Sequence, residues 1–164
     1  MKPNETYLEK LLFKSIIMDF AFLPMVNVKF KPEIFADKSF EEVSRFYQKF
    51  YNEKGRVPTL QDVKLLANTD GLAQHVREAF GNVKGVDYKE MPKEELYNYF
   101  ENYIKKRLAL ITFKDIFSKY DPNGDLDSDM LVEKFTNVAS LKLIQEDAFD
   151  IYRDVEKFIQ ESRT

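Results

Sequence analysis

The stretch that decides the fold runs from Pro92 to Tyr120 and reads PKEELYNYFENYIKKRLALITFKDIFSKY. Its spacing predicts one long helix with two apolar stripes, because residues three and four apart share a helix face. The inner stripe comprises Phe100, Ile104, Leu108 and Ile111. The outer stripe comprises Tyr99, Tyr103, Leu110, Phe113 and Phe117, and the cations Arg107 and Lys114 lie between the two stripes. One stripe can pack within the chain, so we expect the outer stripe and these two cations to form a protein interface.

A strong turn signal, DPNGD at residues 121–125, follows the long helix. Proline, asparagine and glycine in this order favour a reversal of the chain. A second helical pattern then runs through Leu131, Phe135, Val138 and Leu141, and either Asp127 or Ser128 can cap it. The pattern predicts a long antiparallel helix hairpin over residues 91–145.

Residues 1–90 show helical periodicity throughout and no convincing alternating strand pattern, which predicts a head of about six short helices. Asn4 is a candidate N-cap for the first helix. Ser39 and Glu42 have the spacing of a capping box before a helix that should end at Gly55. Thr59 can cap the helix after that. The sequence therefore predicts an all-α protein.

Two further segments complete the predicted organisation. The last helix of the head should stop at Gly81, and residues 81–91 are the candidate joint between head and hairpin. Residues 146–164 carry a weaker amphipathic pattern, which predicts a C-terminal linker helix with an apolar face formed by Phe149, Tyr152, Val155 and Ile159.

Composition limits the classes of function. The chain has 164 residues, no cysteine and a net charge of −3, so it offers neither disulfides nor thiolate metal ligands. The absence of a signal-peptide pattern and of a long apolar run predicts a soluble cytoplasmic protein with no membrane partner. A slightly acidic chain has no general attraction for a phosphate backbone, so we expect only weak contact with DNA.

No motif in the chain predicts catalysis or a bound cofactor. The segment Gly81–Gly85 lacks the phosphate-binding loop pattern, and the single histidine, His75, has no evident nucleophile or second ligand. Residues 121–127 begin like a calcium-binding EF-hand loop, but Leu126 replaces the required glycine and Val132 replaces the bidentate glutamate. We therefore expect no enzymatic activity, no metal and no cofactor in this chain.

Three stretches, taken in order, resemble the N-terminal domain of DnaB-type replicative DNA helicases, and more closely the version found in large tailed phages. The first is residues 8–19, LEKLLFKSIIMD, which is similar to the opening helix of that family. The second runs from Phe35 through FEEVSRFYQKF at residues 40–50 to GRVPTL at residues 55–60. The third is YIKKRLAL at residues 103–110, which resembles the start of the family's hairpin.

The resemblance implies a collar module rather than a motor. In this family such domains pair through their hairpins, form a ring above the ATPase ring, and receive primase and, in some systems, a helicase loader. ATP and magnesium would bind a RecA-like motor domain that this sequence does not contain, and residues 146–164 resemble the linker that precedes it. A phage-encoded protein of this kind would work in the cytoplasm of a bacterial host.

Two alternatives belong to other classes of function. The chain could be an independent accessory protein, such as a loader or inhibitor, that shares the collar fold and binds a helicase ring. It could also be a single-stranded DNA-binding protein, since its aromatic content of 15% would supply rings for base stacking. Stacking proteins combine such rings with a basic groove, whereas the lysines of the long helix are spread around its circumference.

Overall fold

The computed structural model describes residues 4–69, 71–87, 90–119, 121–124 and 127–142. Within these ranges every regular element of secondary structure is a helix, which confirms the predicted all-α class. The elements are α1 (Glu5–Met18), α2 (Phe22–Val26), a 3-10 helix (Pro32–Ile34), α3 (Lys38–Lys54), α4 (Leu60–Leu66), α5 (Ala73–Asn82), α6 (Lys93–Ser118) and α7 (Ser128–Ala139). The predicted linker helix at residues 146–164 lies outside the described residues.

Local capping explains where several helices begin and end. The Asn4 side chain accepts hydrogen bonds from the backbone N–H groups at the start of α1, as predicted. Thr59 caps α4 in a reciprocal capping box with Asp62. Gly55 ends α3 with a φ of 72°, a left-handed conformation that glycine adopts without steric cost.

The predicted start of α3 was wrong. Asp37, not Ser39, is the N-cap, and its carboxylate accepts hydrogen bonds from the N–H groups of Ser39 and Phe40. Ser39 therefore lies inside the first turn, where its hydroxyl donates to Glu78 of α5 at 2.8 Å. The predicted stop at Gly81 is also early by one residue, since α5 continues to Asn82.

The core is one hydrophobic cluster to which the head helices and the first half of α6 both contribute. Phe13 of α1 stacks on Phe40 of α3 with ring centroids 4.4 Å apart. Phe22 of α2 contacts Tyr97 and Phe100 of α6 at centroid distances of 5.5 and 5.6 Å. These ring contacts join α1 to α3 and tie α6 to α2.

The distal half of α6 extends past the last buried residue, Leu108, and α7 packs against it. Lys134 of α7 lies 3.7 Å from the Asp115 carboxylate of α6. Asp127 caps α7 by accepting a hydrogen bond from the N–H of Met130, so the first of the two predicted caps is the one used. At the far end of α7, the Lys29 ammonium donates to the backbone carbonyl of Lys142.

Among the described helices, none is long and apolar enough to cross a membrane.

Candidate protein interface

The predicted outer stripe divides into a covered part and an uncovered part. Tyr103 was predicted on the interface, but it is only 5% exposed and belongs to the core. Tyr99 is half-buried and packs against the same core. Both tyrosines are covered because α1 packs against the proximal half of α6, and the Lys106–Glu5 ion pair also joins these two helices. The outer stripe is therefore an internal contact over its first turns.

The surroundings of Tyr103 differ from those of a surface tyrosine. Burial raises the pKa of its phenol, and the nearby Glu9 carboxylate raises it further because a phenolate beside a carboxylate is disfavoured. Arg107 opposes this effect with its positive charge. The phenol is held neutral in a position where a partner protein cannot reach it.

Three apolar side chains of the outer stripe remain exposed on the distal half of α6. We call Leu110, Phe113 and Phe117 the distal α6 patch; their exposed fractions are 42%, 52% and 64%. The rings of Phe113 and Phe117 contact each other with centroids 4.7 Å apart. Exposure rises with distance from the core, so the patch lies where the head helices no longer cover α6.

The second helix adds exposed apolar side chains of its own. No residue of α7 is buried, and its largest exposed apolar side chains are Met130, Val132 and Phe135. Phe135 belongs to the apolar pattern that predicts this helix, whereas Met130 and Val132 lie outside that pattern. Because α7 is a short helix with apolar residues on more than one side, they could have been noted from its pattern alone.

The two cations predicted to lie on the interface have different positions. Arg107 is half-buried, and its Nε donates a 2.7 Å hydrogen bond to the backbone carbonyl of Ile34. This bond ties α6 to the 3-10 helix, which makes Arg107 a structural link inside the chain. Lys114 is exposed beside the distal α6 patch, where a partner can contact it.

Ion pairs surround the junction of α6 and α7. Asp115 receives Lys119 at 3.2 Å from its own helix and Lys134 at 3.7 Å from α7. Such solvent-accessible pairs contribute little stability individually, roughly 0–1 kcal/mol each. They still favour one side of α6 for α7, which leaves the distal α6 patch uncovered.

The only histidine takes part in a polar cluster between α3 and α5. Its Nδ1 lies 3.1 Å from the Ser39 hydroxyl, and the same hydroxyl donates to Glu78. Hydrogen bonds from Gln74 and then Ser39 lower the pKa of Glu78. Because His75 and Glu78 both meet on the serine oxygen, the imidazole does not connect the serine to the carboxylate as it does in a nucleophile relay. The cluster fastens two helices.

Comparisons with known proteins give no relative for this arrangement. No family model matches the chain, and neither the curated proteins nor the solved structures include a match. Within the described ranges, no group of three or more histidine, aspartate or glutamate side chains is placed to hold a metal ion. The distal α6 patch is therefore the candidate site that the geometry itself offers.

Proposed function

We infer that this chain is an oligomerisation and protein-docking module, working as the N-terminal domain of a DnaB-type replicative helicase. In that role it organises the hexameric ring and receives primase or a helicase loader during DNA replication. The observation that carries the proposal is the distal α6 patch, an apolar surface that continues a buried stripe beyond the core. The order of the three motifs that resemble the helicase family gives the patch this particular role.

The distal α6 patch gains free energy when a partner covers it. Fully burying a leucine or phenylalanine side chain is worth roughly 1.5–3 kcal/mol, and the three patch residues retain about half of that surface. Aromatic residues, phenylalanine included, are enriched at the core of protein interfaces, and two neighbouring rings form most of this patch. A second copy of the chain supplies an identical patch, and a two-fold interface brings like surfaces together.

The proposed hairpin makes the distal α6 patch accessible to a partner. In the proposal, α6 and α7 form an antiparallel pair that projects from the head, so that two hairpins pair without displacing either core. The contact of α7 with α6 and the bond from Lys29 to the Lys142 carbonyl support this arrangement. DNA contact is weak and occurs through the assembled ring, because a central channel can concentrate modest positive charge.

The test is the solution mass of the chain over a series from low to high micromolar concentration. Wild type should shift from monomer toward dimer or ring, while Leu110→Asp/Phe113→Asp should remain a folded monomer, because burying unpaired carboxylates is costly. The control is Asn98→Asp/Asn102→Asp, which adds two carboxylates to exposed positions of the same helix and should associate like wild type. A wild-type protein that stays monomeric throughout contradicts the proposal.

The docking role needs a second measurement. Fused to a motor domain, the chain should support hexamer formation and stimulate primase, and the Leu110→Asp/Phe113→Asp fusion should lose both. If the variant fusion assembles and stimulates primase normally, the distal α6 patch has no part in the function.

A further inference from the structure

A groove lies on the opposite side of α6 from the distal patch, where α6 passes the 3-10 helix and α3. Its volume is about 440 Å³, and apolar atoms of Phe30, Pro32, Leu108 and Ile111 line part of it. Ile111 is the last residue of the inner stripe and is only half-buried. A cavity of this size is comparable with many small-ligand sites, which span roughly 300–1,000 Å³, so it has room for large apolar side chains.

The rim of the groove carries the charged residues Lys31, Arg45 and Glu33. Lys31 is exposed on it, and Arg45 lies on it within an ion-pair network with Glu33 and Glu41. Gln48 fixes the neighbouring turn by donating to the carbonyls of Asn27 and Phe30, at 3.1 and 2.9 Å. The turn also carries Lys29, the residue that bonds to the carbonyl of Lys142. The described chain therefore reaches residue 142 beside the first residues of the groove.

The segment that follows has matching chemistry. Residues 143–164 contain six carboxylates and three cations, whereas the preceding 142 residues are electrically neutral, so this segment carries the whole net charge of −3. Its sequence pattern gives an apolar face through Phe149, Tyr152, Val155 and Ile159. An acidic, amphipathic segment thus begins next to a partly apolar groove whose rim carries the exposed Lys31.

We propose that the groove binds residues 143–164 of the same chain, with aromatic side chains of that segment inserted between the 3-10 helix, α3 and α6. The short connection from Lys142 keeps the effective concentration of the segment at the groove high, so a modest affinity suffices. The exposed ammonium of Lys31 on the rim favours the same pairing with an acidic segment. This docking does not involve Leu110, Phe113 or Phe117, and it stands independently of the proposed self-association.

A thiol footprint tests the proposal in the full chain, because the sequence has no cysteine and an introduced thiol is unique. Thr112→Cys places the thiol in the lining of the groove, and Val28→Cys places one at a position that is 91% exposed as a reference. Alkylation of the groove thiol should be slow and should become about tenfold faster in Phe149→Ser/Tyr152→Ser, as expected if the segment is docked roughly nine-tenths of the time. The reference rate should not change.

A matched control distinguishes the loss of the apolar face from a general effect of two substitutions in the segment. Asp150→Ser/Lys157→Ser changes the opposite face of the predicted helix and leaves the net charge unchanged, so the groove thiol should remain protected. If Thr112→Cys does not fold, Glu33→Cys on the rim takes its place. Equal rates in wild-type, apolar-face and control backgrounds overturn the proposal. Protection that disappears on dilution also overturns it, because the occupant is then a second copy.

Discussion

Residues 93–108 and residues 109–118 belong to the same helix and repeat similar apolar spacing, but they meet different surroundings. In the proximal half, α1 and the 3-10 helix cover the stripes, and Phe100 and Ile104 are fully buried. In the distal half, the head helices no longer reach the outer stripe, and Phe113 and Phe117 are exposed. The length of the neighbouring helices, rather than the apolar pattern of α6 itself, therefore decides where the core ends and the surface begins.

The largest expected effect comes from placing a carboxylate in each half of the outer stripe. Tyr103→Asp should unfold the chain or lower its free energy of unfolding by about 3–5 kcal/mol, because it buries an unpaired charge near Glu9. Phe113→Asp should leave the monomer folded and lower its free energy of unfolding by only about 1 kcal/mol, because it loses the ring contact with Phe117 but buries no charge. Urea unfolding at low protein concentration measures both. Equal losses in the two variants would mean that the halves of α6 are not different.

The two predicted interface cations provide a smaller test of the same boundary. Arg107→Met should lower the free energy of unfolding by about 1–3 kcal/mol, because the buried carbonyl of Ile34 loses its donor. Lys114→Met, which removes the same charge from an exposed position, should be close to neutral for the monomer. Thermal unfolding of the pair, at a concentration where wild type is monomeric, compares them directly. A destabilised Lys114→Met with an unaffected Arg107→Met would reverse the assignment.

The same contrast shows how far the sequence predicts this fold. Helix ends that depend on one or two nearby side chains, such as those at Asn4, Gly55 and Thr59, were found because their physics is local. Ser39 was misassigned because Asp37 offers an equally local cap two residues earlier, and the packing of α5 uses the serine elsewhere. The burial of Tyr103 could not be read from spacing, since it requires knowing how far α1 extends along α6.

The groove illustrates the remaining limit. It is formed by side chains from the 3-10 helix, α3 and α6, which are separated by up to 80 residues along the chain. The apolar spacing within each segment predicts its own helix, but it does not predict that the three segments pack side by side. By contrast, the exposed rings of the distal α6 patch repeat at helical spacing, so a candidate surface was visible in the sequence even though its proximal boundary was not.

The pH dependence of thermal stability tests whether the phenols of Tyr103 and Tyr47 are buried in the core. The pKa values of Tyr103 and Tyr47 are raised above the ordinary value of 10.0, mainly by burial. The folded state accommodates only the neutral phenols, so the contribution of both groups to its stability is fully present below pH 10. It is lost as the pH rises above 10, because the same phenols in the unfolded chain ionise first. Wild type should lose thermal stability above this pH more steeply than Tyr103→Phe or Tyr47→Phe. Identical pH profiles would contradict the assigned environments.

The smallest expected effect concerns the distal end of α6, where the turn resembles a calcium loop. Thermal melts in calcium and in chelator should overlay, because Leu126 and Val132 replace the glycine and the bidentate glutamate that such a loop needs. Two of the remaining oxygen donors already have backbone partners: Asp121 accepts from the N–H of Asn123, and Asp127 caps α7. These bonds engage one oxygen of each carboxylate in local backbone contacts. A melting temperature that rises steadily with calcium concentration would show instead that an ion binds the folded turn.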